Sequence, residues 1–338
     1  MNITGEEYSK YALVKEMMQT PDIIRDFSTR SASRFVKEVA GKKGIFLTGE
    51  GSSRIFPAKR AIYSLLKTGF SKPVLTEGAT QAMEYKLDDY AVFAASNSGQ
   101  TKEVIRLVTF LRKQGHKSVF GITANEKTRL QELVSDTHIL SCGKENAVAA
   151  TKSVIEQGLF YDSLFHQLAG VDMRGLSEFA DRTEAALNIR IPTEIIEIIK
   201  NASVIYFAGR NNGVAEELAL KTNEITRKKS AFLEGTFAVH GIEEAMDKNE
   251  VLIWIDPFIE EEEKFKECLI DGVGMKIISL TSGSSLFQSI TIPEGGEYRE
   301  YIQLAAGWNL LVETGLALGI DLDKPVRARK VGNEFIAG

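Results

Sequence analysis

Cysteine is scarce: Cys142 and Cys268 are the only two among 338 residues, too few for a disulfide framework or a cysteine metal centre. Histidine is thin as well, with His116, His138, His166 and His240. No His, Asp or Glu group has ligand spacing, so no metal is expected. No apolar run approaches the roughly 20 residues that a bilayer demands. The first residues, MNITGEEYSKYALVKEMM, lack the basic and apolar regions of a secretory leader, and a cytoplasmic location with no membrane partner is the expectation. Excess positive charge is missing too. A net charge of −5 gives no general attraction to nucleic acid, although Arg227, Lys228 and Lys229 form a local basic patch. The glycine clusters GEGSS and GRNNG are not the GxGxxG fingerprint, which excludes a nicotinamide, and no other cofactor is expected.

What is present is the composition of a globular protein, 43% hydrophobic and 26% charged, long enough for two ordinary domains. The most informative stretch is residues 88–115, DDYAVFAASNSGQTKEVIRLVTFLRKQG. Residues 91–95 are apolar throughout, as in a strand covered on both faces. The small polar residues 96–101 follow, then a helix with Val104, Ile105, Val108 and Leu111 on one side, closed by Gly115. A polar loop at a strand's carboxyl end, opening a helix, suits a phosphate on the helix dipole. It also suits a hydroxyl-rich helix cap, and the loop by itself leaves the two readings level.

Strands alternate with helices on either side of this stretch. Residues 44–47 read as a first strand, 48–54 as a Gly/Ser turn and 55–66 as a helix. Strands are expected near 73–75, at 118–123 and at 137–141, with a helix over 151–168. The alternation restarts at Ser203 with a strand (203–208), a turn (209–213) and a helix (214–227), and later strands at 251–256 and 276–281. Gly49 to Ser96 spans 47 positions and so does Gly209 to Asp256, which argues for two copies of one unit. The expected fold is α/β: two tandem doubly wound parallel-sheet domains, flavodoxin-like and three-layered. Residues 1–30 form a helical lead-in broken at Pro21, 31–173 and 193–325 the two domains, and 326–338 a tail. The loop SNSGQT of the first copy is DPFIEE in the second, and an acidic loop repels phosphate, so one phosphate site per chain is expected. The acidic run Glu260 to Glu263 reads as a solvated helix start.

Several separated motifs, in order, resemble the sugar isomerase (SIS) domain family. They are KEMMQTPDIIRDF, Glu50-Gly51-Ser52-Ser53, Ser96-Asn97-Ser98-Gly99-Gln100-Thr101, Glu145 with Val148-Ala149-Ala150-Thr151-Lys152, Lys221 with Glu224 and then His240, and DLDKP leading to Lys330. The match is to the isomerase half of glutamine-dependent glucosamine-6-phosphate synthase and to its stand-alone relatives. The resemblance implies that Gly51, Ser52, Ser53, Ser96, Asn97, Ser98, Gln100, Thr101, Glu145 and Val148 bind a phosphorylated sugar. It further implies catalysis by Glu224, His240, Lys330 and Lys221, and a homodimer in which His240 crosses to the other subunit. Two departures stand out. No glutaminase domain that would supply ammonia is expected, and TFAVHGI replaces the family's acidic, basic and proline neighbours of the histidine.

Aldose–ketose interconversion moves a proton between C1 and C2, which calls for a positioned base and a group serving the ring oxygen. Glu217, Lys221 and Glu224 share one helical stripe, beside the core-facing Ala215, Leu218, Thr222 and Ile225. Read from spacing alone the stripe is an exposed ion pair worth a few tenths of a kcal/mol. With the resemblance, Glu224 becomes the proton carrier, His240 the ring-opening group and Lys330 a stabiliser of oxyanion charge. The expected function is a sugar-phosphate isomerase or deaminase on a phosphorylated ketose or amino sugar. The alternatives are a fructosamine-6-phosphate deglycase and a non-catalytic sugar-phosphate sensor.

Overall fold

The computed structural model describes residue 1 and residues 4–327. Among the described residues, ten strands form two five-stranded parallel sheets. The first holds β1 (Gly44–Gly49), β2 (Val74–Gly78), β3 (Tyr90–Ala95), β4 (Val119–Thr123) and β5 (Asp136–Ile139) in the order β2-β1-β3-β4-β5. The second holds β6 (Val204–Gly209), β7 (Lys229–Glu234), β8 (Val251–Ile255), β9 (Lys276–Thr281) and β10 (Gln288–Thr291) in the order β7-β6-β8-β9-β10. Counted within each sheet the order is 2-1-3-4-5 both times, the flavodoxin-like winding, and the chain is two tandem α/β domains.

Strand alternation builds the layers of the first sheet. Ile45, Leu47, Ala91, Phe93 and Phe120 pack on one face with the helices Ser33–Ala40, Ile55–Thr68 and Lys152–Ala169. Phe46, Val92, Ala94 and Val119 pack on the other with Lys102–Lys113 and Arg129–Leu133. Phe35 anchors the first of these layers, its ring edge-on to Phe93, Phe120 and Phe160 at 5.8, 5.3 and 5.6 Å, the offset geometry that aromatic quadrupoles favour. In the second sheet Trp254 stacks on Phe265 at 3.7 Å within its own buried cluster.

Two glycines mark the equivalence of the copies. A Cβ on Gly49, at the end of β1, would lie 2.9 Å from the Ala95 carbonyl oxygen, and one on Gly209, at the end of β6, 3.1 Å from that of Ile255. Each lets the first strand of its sheet pass against the end of the third, where a strand order reverses. Gly49→Ala is expected to cost about 1–3 kcal/mol, because its other neighbour at 3.0 Å, the Ser53 carbonyl oxygen, is backbone and cannot turn aside. Thermal unfolding checks this, and an unchanged melting temperature would mean the turn shifts freely.

The chain divides into two compact units. One contains Asp22–Asn146 and Ala150–Ser177, the other Met1–Pro21, Ala147–Ala149 and Glu178–Val326. Several local expectations need correcting. Pro21 does not break a helix; it sits in the first turn of Thr20–Asp26, where its missing N–H costs nothing. Residues 174–192, read as a join, carry the helix Leu176–Leu187, whose Phe179, Thr183 and Leu187 are buried. The acidic run is not wholly solvated. Glu262 is buried and its carboxylate accepts from the Ser285 hydroxyl and, at 3.1 Å, from the Leu286 N–H, tying the run to the loop after β9. Among the described residues no helix is long and apolar enough to cross a membrane.

Candidate functional site

The residues singled out from the sequence fall into two groups, one in each unit. In the first unit, β1 and β3 are neighbours whose connections leave on opposite sides, so their carboxyl ends form the switch point, where open α/β sheets hold ligands. After β1, Glu50 leads into a short 3-10 turn of Gly51, Ser52 and Ser53. Gln157, from the Lys152–Ala169 helix, donates its side-chain amide to the Ser53 carbonyl at 2.5 Å and fixes the turn. Glu50 Oε1 accepts the Ala79 N–H at 2.9 Å. Burial pushes the Glu50 carboxyl above its usual range against that bond, with Glu103 adding like-charge repulsion.

After β3, Ser96 to Thr101 form a closed loop. Ser96 and Thr101 hydroxyls meet at 2.8 Å, the Thr101 N–H points at Ser96 Oγ at 3.3 Å, and the Gln100 N–H at Ser98 Oγ at 3.2 Å. Gly99 has φ +66, and a Cβ there would fall 2.4 Å from the Thr128 side chain, so only glycine fits between the loop and the Thr128 cap. Hydroxyls and amides thus gather at the start of the twelve-residue helix Lys102–Lys113, where they can grip an anion with help from the helix dipole.

Asn97 reaches away from this loop. Its amide nitrogen donates to Glu145 Oε2 at 2.9 Å, and the Glu145 carboxylate, 1% exposed, also takes the Thr151 N–H at 2.7 Å and the Ser153 hydroxyl. Glu145 is therefore committed to holding protein groups: it ties the loop after β3 to the start of the Lys152–Ala169 helix. Nothing in the sequence pairs residues 97 and 145, which stand 48 positions apart.

The second group lies on the helix Val214–Ile225. Lys221 Nζ is 3.3 Å from Glu217 Oε1 and 2.8 Å from Glu224 Oε2. The side chains of Lys221 and Glu217 are fully buried while Glu224 keeps 23% exposure. The exposed-pair reading is thus wrong for this stripe. Gly307 on the neighbouring helix Arg299–Ala317 lets Leu218 approach so closely that a Cβ would lie 2.4 Å from it, which brings the charged stripe under cover. Burial would lower the Lys221 pKa, but Glu224 and then Glu217 outweigh it, and the ammonium titrates above its usual range.

His240 follows the 3-10 turn Phe237–Val239; it is exposed, with Nε2 3.5 Å from Lys264 Nζ. It is not hydrogen-bonded to Glu224, whose carboxylate is held by Lys221. Val148 is partly buried and belongs with the Glu224 unit. Lys330 lies outside the described residues. Of the other histidines, His116 Nε2 lies 2.8 Å from the Leu87 carbonyl oxygen, and His138 stacks on Phe160 at 4.3 Å, where burial, followed by Arg34, pushes its pKa down to about 4.

The fold and the loop after β3 define a doubly wound α/β protein with a closed loop of hydroxyls and amides at its first switch point. Residues 38–167 match the family model of the SIS domain. No curated protein matches the chain. Among solved structures, the C-terminal domain of glucosamine-fructose-6-phosphate aminotransferase from Francisella tularensis is similar at TM-score 0.76 and 19% identity, covering 95% of this chain and 100% of that one. Tagatose-6-phosphate ketose/aldose isomerase from Escherichia coli is similar at 0.76 and 20%, covering 95% and 98%. Glucosamine-6-phosphate deaminase from Thermotoga maritima is similar at 0.71 and 20%, covering 95% and 99%. At these identities the likeness is one of fold.

Proposed function

We propose that this chain is a sugar-phosphate isomerase or deaminase acting on a phosphorylated ketose or amino sugar, without a metal or cofactor. The observation that carries the proposal is the Ser96–Thr101 loop: hydroxyls and amides closed around the start of a helix, at the switch point, in a stretch that matches the SIS domain model. The solved structures of like fold, by their names, act on fructose, tagatose and glucosamine 6-phosphates.

In this reading the loop, with Gly51, Ser52 and Ser53, holds the substrate's phosphate. Glu145 acts through Asn97. Glu224 carries the proton between C1 and C2 of the opened sugar, and Lys221 Nζ fixes the orientation of its carboxylate. His240, exposed and therefore available to a second copy of the chain, serves the ring oxygen across a homodimer interface. Lys330 stabilises the oxyanion.

Ser98→Ala or Thr101→Ala is expected to weaken binding of phosphorylated sugars by about tenfold or more, as loss of a charge-assisted hydrogen bond implies. Binding of the unphosphorylated sugars stays unchanged. Calorimetric titration of both forms is the test, and equal losses for the two would remove the loop from phosphate recognition.

A further inference from the structure

The second sheet has a switch point of its own, between β6 and β8, and its loops carry different chemistry from the first. Gly209 stands where Gly49 stands, and the next residue is Arg210 in place of Glu50. After the third strand, Asp256 stands where Ser96 stands. The backbone N–H of Ser96 bonds Ile122 O, and that of Asp256 bonds Leu280 O, in both cases on the fourth strand of the sheet or at its equivalent position, at 2.9 Å. The charges are thus exchanged between copies: a carboxylate on the first loop and a hydroxyl on the second become a guanidinium and a carboxylate.

Arg210 Nη1 lies 3.1 Å from Asp256 Oδ2 and also donates to the Asp256 carbonyl, while its guanidinium sits over the Phe258 ring at 4.2 Å. Arg299, the first residue of the helix Arg299–Ala317, brings Nη1 to 3.0 Å from the same Oδ2. Two guanidiniums therefore converge on one carboxylate oxygen, and the cluster keeps a net positive charge. The three side chains are 23%, 42% and 17% exposed for Arg210, Arg299 and Asp256, so solvent ions can reach them. Asp256 holds φ +50, a left-handed conformation that non-glycine residues rarely adopt and that Asp and Asn tolerate best.

We infer that Arg210 and Arg299 form a second anion-binding site, for a tetrahedral oxyanion such as phosphate, and that the chain's own Asp256 carboxylate is its resident occupant. Forked guanidiniums match phosphate and carboxylate oxygens alike, and the position is where open α/β sheets hold ligands. The internal carboxylate fills at the second switch point the place that a free anion takes at the first, which leaves one phosphate site per chain.

The inference does not rest on the proposed reaction, and its test needs no sugar. Asp256→Gly removes the carboxylate and suits the positive φ. Melting temperature is followed against inorganic phosphate for the wild type, Asp256→Gly and Asp256→Gly/Arg210→Gln, because phosphate at residues 96–101 raises all three alike. The expected result is a phosphate-induced rise in Asp256→Gly at least double that of the wild type, returning to the wild-type rise in the double variant. Should Asp256→Gly not fold, Asp256→Asn, which keeps a residue tolerant of this backbone and loses only the charge, carries the same comparison. A rise equal to the wild type's, or an extra rise that survives Arg210→Gln, overturns the inference.

Discussion

Glu224→Gln is expected to lower turnover by about 10²–10⁴-fold, the usual contribution of a positioned general acid–base group, while the sugar phosphate binds as before. Glutamine keeps the volume and can still accept from Lys221 Nζ, which lies 2.8 Å from Glu224 Oε2 in the native chain. It cannot take up a proton. Of the buried stripe only Glu224 keeps partial exposure, so it alone of the three charged side chains can meet a substrate. The readout is deuterium incorporation at C2 of the substrate in deuterated water. Exchange that persists in the glutamine variant removes Glu224 from the mechanism.

The second large effect is on stability. Lys221→Met takes away the ammonium 3.3 Å from Glu217, a carboxylate with no exposed side-chain surface. Breaking a buried ion pair from one side costs about 3–5 kcal/mol, which lowers the melting temperature of a unit of this size by roughly 6–20 °C. Exchanging both partners for apolar residues, as in Glu217→Leu/Lys221→Met, is expected to recover most of the loss, since the one charge then left on the stripe, Glu224, is partly exposed. The Lys221 pKa is raised in the folded chain above its ordinary value of 10.5. Its contribution is thus complete below pH 10.5 and is lost only as pH rises through the folded value. A single variant that melts within a degree or two of the wild type would show that water reaches the pair.

Much of this architecture could be read from residues 91–95 and their counterparts, because strands buried on both faces leave continuous apolar runs. The repeat showed itself in the two 47-residue spans, and Gly49 and Gly209 explain them: both mark the same close passage of the first strand against the third. The edge strands β7 and β10 escaped: β7 begins and ends on the charged Lys229 and Glu234, and β10 is only four residues, two of them the polar Gln288 and Ser289. The helix Arg299–Ala317 escaped for the opposite reason, since it is buried almost all round and shows no polar face.

The candidate site was legible only where it is local. The loop of residues 96–101 is a single stretch of chain, and the hydrogen bonds that close it on itself span five positions or fewer. The burial of Glu217 and Lys221 was not legible, because charges at i and i+4 look the same on a covered stripe as on an exposed one. The bond from Asn97 to Glu145 and the convergence of Arg210 and Arg299 on Asp256 depend on which loops the winding brings together. No local pattern encodes that.

The most direct measurement is to incubate the native chain with fructose 6-phosphate plus ammonia, tagatose 6-phosphate, glucosamine 6-phosphate and fructosamine 6-phosphates, each beside its unphosphorylated form, and to follow products by mass spectrometry. The account predicts conversion of at least one phosphorylated sugar and none of the unphosphorylated ones. Conversion that ignores the phosphate, or no conversion of any sugar, would contradict it.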